Sequence, residues 1–172
     1  MGEQIQSSIE KKEQNGKFEL LQPAQLQDII YQGKNWPVDN RFFSTKDGGV
    51  FRFFSSRVFA RNDLNEYKFP TVKEDGLIVA LEGLEKSPYG KNIIWVKSVA
   101  VDKKFRGKGY GKKIVDGIFK YAQDNNFTLQ LSSFTDEYKH KESNNKIKYI
   151  TQEIMKKYPQ VKVLNNYGKK IN

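Results

Sequence analysis

The segment from Val99 to Lys113, which reads VAVDKKFRGKGYGKK, combines residue types that can bind an anion. A β-branched run leads into three glycines at alternate positions, and an amphipathic segment follows them. Glycine permits close backbone approach to a ligand, and the first N–H groups of a helix have no partner within the helix. Six basic side chains and no acid lie between Lys103 and Lys113. The pattern predicts a cradle for phosphate groups, and the competing interpretation is a tight turn with a solvated basic face.

Two well-known phosphate loops do not match this segment. A dinucleotide fingerprint that begins with Gly107 and Gly109 would need a third glycine where Lys112 stands. A P-loop needs Gly-Lys followed by Ser or Thr, and the two Gly-Lys pairs here are followed by Gly109 and Lys113. The sequence therefore argues against both.

The run Arg106-Gly107-Lys108-Gly109-Tyr110-Gly111 resembles the Arg/Gln-x-x-Gly-x-Gly/Ala loop of the GNAT acetyltransferase superfamily. Val99–Asp102 looks like that family's fourth strand and Lys112–Asn125 like its third helix. The resemblance implies an α/β fold with a mixed, mostly antiparallel central sheet flanked by helices. It also implies that the family's strands 4 and 5, here Ile93–Val101 and Phe127–Phe134, splay apart to admit a thioester.

The cofactor that the resemblance implies is acetyl-coenzyme A, as the acyl donor, with no metal. In this family the backbone N–H groups of the glycine loop would hold the pyrophosphate. The backbone at Val99 and Val101 would pair with the pantetheine arm and polarise the thioester carbonyl. The implied cofactor-binding residues are Val99, Ala100, Val101, Arg106, Gly107, Lys108, Gly109, Tyr110, Gly111 and Lys112.

The implied reaction is direct attack on the thioester by an amine in a ternary complex. An amine with the ordinary lysine pKa of about 10.4 is protonated at neutral pH, so a base must take its proton. The family often places Glu or His on strand 4, where this chain has Trp95 and Lys97. Glu82 and Glu85 on the neighbouring strand are the nearest acidic alternatives, and we take Glu82 as the candidate. The competing interpretation for both is an exposed carboxylate at a strand end.

The family's general acid is commonly a tyrosine near the end of helix 4, shortly before a Gly-Phe pair that this chain lacks. Met155 stands at the expected position. Tyr149 lies off the apolar face of the predicted helix and is our candidate for protonating the thiolate. Tyr158 lies on that face, which favours packing in the core. His140, in a polar run, is expected to be a loop residue rather than a catalytic one.

Composition excludes several classes of protein. The chain has 172 residues, 37% of them hydrophobic, which suits one domain with a core of ordinary size. The absence of cysteine excludes disulfides and thiol nucleophiles, and a single histidine excludes a multi-histidine zinc site. The apolar runs are too short to span a bilayer, and the start of the chain does not resemble a secretion signal. We therefore expect a soluble cytoplasmic protein that does not contact membranes.

The net charge of +10 is concentrated in the second half of the chain. Residues 1–96 hold 13 basic and 13 acidic residues, whereas residues 97–172 hold 17 and 7. A polyanionic cofactor is a sufficient explanation for the excess near the loop. A further stretch, residues 139–170, holds nine Lys and two Glu and is either a solvated face or a surface for RNA or an acidic protein. Our alternative function is a non-catalytic module, either GNAT-like or a basic surface that binds nucleic acid or an acidic protein, with nucleic acid not favoured.

Hydrophobic periodicity predicts the element order β-α-α-β-β-β-α-β-α-β, which is typical of an α/β domain. Residues 1–16 are predicted to be a polar tail or loose helix and residues 17–172 a single GNAT-like domain. Aromatic residues within 36–54 lie where the family shapes its acceptor site, although core packing explains most of them. The predicted segments are Lys17–Leu21, Ala24–Gln32, 51–62, Tyr67–Lys73, Leu77–Leu84, Ile93–Val101, Gly111–Asn125, Phe127–Phe134, a helix ended by Pro159, and Val161–Leu164.

The expected partner is an amine on a small molecule or protein. Dimers are common among proteins of this resemblance, so a homodimer is a further expectation.

Overall fold

A computed structural model describes residues 16–26, 68–96, 99–101, 105–131 and 141–172, with the backbone alone at residues 100 and 141–147. Two helices of several turns are present in these ranges, α1 (Tyr110–Asp124) and α2 (Lys141–Lys157). The strands of the described ranges are β1 (Lys17–Leu21), β2 (Phe69–Glu74), β3 (Leu77–Leu81), β4 (Leu84–Lys86), β5 (Ile93–Val96), β6 (Ala100–Val101), β7 (Thr128–Leu131) and β8 (Val163–Leu164).

The strands form two four-stranded sheets. The first has the order β1-β2-β3-β6, and all its pairings are antiparallel. The second has the order β4-β5-β7-β8, in which β4 and β5 are antiparallel while β5 with β7 and β7 with β8 are parallel. The predicted mixed, mostly antiparallel α/β architecture is confirmed.

The two sheets separate where the sequence predicts continuous strands. The segment predicted as one strand over Ile93–Val101 is β5 followed by β6, and the two strands have different neighbours. β5 pairs with β7 as far as Val96 opposite Leu131, whereas β6 pairs with β3. Leu77–Leu84 likewise divides into β3 and β4. A change of partner strand leaves the apolar pattern unaltered, so periodicity could not show these breaks. The resemblance implies that Ile93–Val101 and Phe127–Phe134 splay apart. The change of partner from β7, which pairs with β5, to β3, which pairs with β6, corresponds to that splaying.

Helix α1 buries the face that the sequence predicts. Its buried apolar side chains, apart from Tyr110 at its start, are Ile114, Val115, Ile118, Phe119 and Ala122. Full burial of each large aliphatic or aromatic side chain contributes about 1.5–3 kcal/mol. Helix α2 packs beside α1, with the Phe119 and Tyr158 ring centroids 6.0 Å apart and the Tyr158 hydroxyl 3.3 Å from Asp116. The predicted core position of Tyr158 is confirmed.

Gly117 lets α1 lie directly on β1, because a β-carbon there would overlap the Phe18 ring. Alanine normally favours a helix over glycine by about 1 kcal/mol. We nevertheless expect Gly117→Ala to lower the free energy of unfolding by about 1–3 kcal/mol, since the extra methyl overpacks this contact. Urea denaturation measures the change, and adding Phe18→Leu should recover part of the loss. A Gly117→Ala protein more stable than the wild type would contradict the contact.

Several predicted features lie outside the described residues. They include most of the tail, the helix predicted over 51–62, Lys97, His140 and the aromatic residues of 36–54. Of the helix predicted over Ala24–Gln32, a turn at residues 23–26 is described. Within the described ranges, no helix has the length and hydropathy that crossing a membrane requires.

Candidate cofactor and catalytic site

The glycine loop has a backbone shape that few residues other than glycine adopt. Gly107 has φ +79° and Gly109 has φ +85°, both in the left-handed region. A β-carbon built at either residue would meet no atom within 4 Å. The outer side of the loop is therefore open, and a ligand can approach its backbone closely.

The start of α1 presents backbone donors beside this loop. Gly109 is the N-cap residue and makes no side-chain capping hydrogen bond. The Lys113 N–H donates to the Gly109 carbonyl at 3.0 Å, which leaves the N–H groups of Tyr110, Gly111 and Lys112 without a partner inside the helix. The first turn contains no acidic residue. Free amides and the positive end of the helix dipole together favour an anion here.

Neighbouring side chains hold the loop against β6. The Arg106 Nε donates to the Val101 carbonyl at 3.0 Å. Gly111 faces the same strand, since a β-carbon there would lie 3.7 Å from Val101 Cγ2. The Lys108 Nζ lies 5.0 Å from the centroid of the Phe105 ring. The structure therefore brings together the cofactor-binding residues predicted on β6, the loop and the first turn of α1.

These residues fit a coenzyme A molecule. The loop offers amide donors and exposed basic side chains, including Arg106, Lys108 and Lys112, to a diphosphate. β6 is the last strand of its sheet, so within the described ranges its second edge has no strand partner and an extended arm could pair there. Val96 opposite Leu131 is the last pairing of β5 with β7, and β6 pairs with β3 instead. The amide donors and basic side chains thus suit the diphosphate of coenzyme A, and the open edge of β6 suits its extended arm.

Glu82 lies inside the protein at the break between β3 and β4. Its exposed fraction is 0%, and its N–H donates to the Pro70 carbonyl at 2.9 Å. Leu81 is opposite Ala100 and Leu84 is opposite Val96, so the break faces the point where β5 gives way to β6. The interpretation of Glu82 as an exposed strand-end carboxylate is therefore wrong, because Glu82 is buried in the interior at the strand break.

The other candidate catalytic side chains are more exposed. Glu85 is half-buried on β4, opposite Trp95 of β5. Tyr149 projects from α2 and is 64% exposed. Its assignment as the general acid stays a prediction.

Two polar features escaped the sequence analysis. The Tyr110 side chain is only 2% exposed and its hydroxyl donates to the Glu74 carboxylate at the end of β2. Burial, followed by the Glu74 hydrogen bond, raises the pKa of Tyr110 to about 12, so the hydroxyl stays protonated at neutral pH. Gln130, predicted on the polar face of β7, is 1% exposed and accepts a hydrogen bond from Ser87 at 2.6 Å. The sequence feature that could have singled out Tyr110 is the presence of an aromatic residue within a loop of glycines and basic residues.

A cavity of about 200 Å³ lies away from the loop, beside Tyr121 and Phe127 at the far end of α1. Tyr121 is eleven residues after Tyr110, which is about 16 Å along a helix. Lys68 lines this cavity, and its Nζ donates to the Tyr121 hydroxyl at 2.8 Å. The cavity is therefore separate from the candidate cofactor site.

The comparisons with known proteins agree with the fold. Residues 32–142, more than half of the chain, match the family model described as the acetyltransferase (GNAT) family. The chain belongs to the GNAT acetyltransferase family. No curated protein sequence matches it.

Three solved structures show the same fold at low sequence identity. A GNAT-family acetyltransferase from Desulfovibrio desulfuricans has a TM-score of 0.54 and 12% identity, over 78% of this chain and 82% of its own. A ribosomal-protein-alanine N-acetyltransferase from Brucella melitensis has a TM-score of 0.52 and 16% identity, over 78% and 88%. The ribosomal-protein-S18-alanine N-acetyltransferase of Escherichia coli has 0.53 and 11%, over 78% and 74%. These similarities establish the architecture and leave the acceptor open.

Proposed function

We propose that the protein transfers the acetyl group of acetyl-coenzyme A to an amine of a small molecule or a protein. The observation that carries the proposal is the open, left-handed backbone at Gly107 and Gly109, placed directly before the first-turn amides of α1 that have no partner within the helix. Membership of the GNAT family supports the same chemistry. Amide donors at a helix start bind phosphates without needing a metal ion.

The residues of this chain would divide the work between binding and proton transfer. When bound, acetyl-coenzyme A supplies an activated acetyl thioester. The N–H groups of Tyr110, Gly111 and Lys112 would hold its diphosphate, and the free edge of β6 would align the pantetheine arm. Glu82, buried at the strand break, would accept the proton that the attacking amine must lose. Tyr149 would return a proton to the departing thiolate.

The role of Tyr149 can be tested separately from binding. We expect Tyr149→Phe to lower kcat by about 10²-fold, the low end for a general acid, because the thiolate loses its proton donor. Its affinity for acetyl-coenzyme A should stay unchanged, since the hydroxyl is not needed to hold the phosphates. Steady-state kinetics and calorimetry measure the two quantities, with Tyr167→Phe as a control at another exposed tyrosine. Equal turnover in wild type and Tyr149→Phe would contradict the role of Tyr149 as the general acid.

The proposed function itself is tested by thiol release. Purified protein with acetyl-coenzyme A should release coenzyme A thiol when small primary amines, polyamines or peptides with free amino groups are supplied. Calorimetry with acetyl-coenzyme A provides the binding measurement. Binding without thiol release on any amine would favour a non-catalytic GNAT-like module. Salt-sensitive RNA binding with no affinity for acetyl-coenzyme A would favour a nucleic-acid module and contradict the proposal.

A further inference from the structure

Three separate segments of the chain meet at the ring of Tyr110, the first residue of α1. Gly16, just before β1, packs so closely that a β-carbon there would lie 2.8 Å from the ring. Phe105 meets it edge to face, with ring centroids 6.1 Å apart. Glu74, the last residue of β2, accepts the hydrogen bond of its hydroxyl. Tyr110 therefore ties the start of α1 to the β2–β3 hairpin and the start of β1.

We infer that Tyr110, anchored by its hydroxyl to Glu74, is the positioning residue that keeps the glycine loop in its anion-binding shape. The inference rests on the proposed function, because that function makes the loop the coenzyme A site. The side chain of Tyr110 points into the protein, so it would act on the ligand only through the backbone that it holds.

The loop needs such an anchor because of its own composition. Gly107 and Gly109 have left-handed φ values, and no atom would touch a β-carbon at either residue. Glycine has the widest choice of backbone conformations, so the loop's shape must be maintained from its two ends. At one end Arg106 donates to the Val101 carbonyl, and at the other Tyr110 donates to Glu74. A loop that is ordered before binding loses less entropy when the ligand arrives.

Glu74 is suited to holding a neutral donor. Burial and the adjacent carboxylate raise the pKa of Tyr110 to about 12, further above the neutral range than the ordinary tyrosine value of about 10. The first turn of α1 contains no acid. Glu74 lies at the end of β2, and the Tyr110 hydroxyl connects its carboxylate to the start of the helix. A hydrogen bond to a charged acceptor is stronger than one between neutral groups.

The experiment uses Tyr110→Phe, Glu74→Gln and the double variant of the full chain. Acetyl-coenzyme A affinity is measured by calorimetry, and hydrogen exchange at the amides of residues 107–113 is followed without ligand. We expect Tyr110→Phe to weaken binding about tenfold, because one charge-assisted hydrogen bond is lost. Exchange at the loop amides should accelerate, while exchange in the later turns of α1 stays as in the wild type.

The remaining variants test whether the effect passes through Glu74. Glu74→Gln should be milder, since the amide oxygen still accepts the hydroxyl proton. The double variant should bind as weakly as Tyr110→Phe alone, because the two residues act as one unit. Tyr89→Phe, at an exposed tyrosine outside the loop, is the matched control and should bind like the wild type.

Three results would overturn the inference. The first is unchanged affinity and exchange in Tyr110→Phe, and the second is full additivity of the two single variants. Faster exchange spread evenly over α1, with a matching fall in thermal midpoint, would show a purely structural role and count equally against it. If the wild type binds no acetyl-coenzyme A, the proposed function fails, while exchange in the free proteins still decides whether Tyr110 orders the loop.

Discussion

Gly109→Val should abolish most of the affinity for acetyl-coenzyme A. Gly109 has φ +85°, a conformation that costs an L-residue about 1–2 kcal/mol and a β-branched residue more. The valine side chain would also enter the open space above the loop, where a β-carbon now meets no atom within 4 Å. Both effects act on the amides that would hold the diphosphate.

The size of this effect follows from the hydrogen bonds at stake. Loss of one amide bond to a charged phosphate costs about 1.5–3 kcal/mol. That corresponds to roughly 10- to 150-fold weaker binding, and loss of two bonds would place binding beyond calorimetric detection. Gly107→Val, at φ +79° with the same open surroundings, should behave in the same way.

Gly168→Val is the matched control for backbone strain. Gly168 also has a left-handed φ, +75°, but it lies in the turn before the C-terminus, against the Tyr89 ring. Both variants should therefore lose stability in thermal denaturation, whereas only Gly109→Val should lose affinity for acetyl-coenzyme A. Equal affinities in Gly109→Val and wild type would remove the argument for a phosphate cradle.

The sequence predicts the loop and helix because their signals are local. Three closely spaced glycines and the apolar spacing from Ile114 to Ala122 are contained within single segments. The buried face of α1 was therefore predictable residue by residue. Glycine permits the left-handed conformations of Gly107 and Gly109 but does not dictate them, since Gly111 of the same loop has no positive φ.

The parts that escaped prediction depend on pairing between distant segments. Whether Ile93–Val101 stays with one neighbour or changes sheets is decided by β3 and β7, which its own apolar pattern does not encode. The burial of Glu82 is a consequence of the same break. The Tyr110–Glu74 contact joins residues 36 positions apart, so no local pattern could reveal it.

Glu82→Gln tests whether this buried glutamate is the general base. The carboxyl group is fully buried at the strand break, beside the divergence where the thioester would lie. Glutamine preserves the shape of glutamate and removes its ability to take a proton. We expect kcat to fall by about 10²- to 10⁴-fold, the usual contribution of a general base, with affinity for acetyl-coenzyme A retained.

A pH profile separates loss of a base from loss of structure in Glu82→Gln. The wild-type kcat/KM should fall at acidic pH as the catalytic carboxylate becomes protonated, and that limb should vanish in the variant. Glu85→Gln, three residues further on and half-buried, is the control and should change kcat by no more than about twofold. A Glu82→Gln enzyme with wild-type turnover would exclude Glu82 as the base. A large fall in Glu85→Gln alone would transfer the role to that residue, which β4 places opposite Trp95.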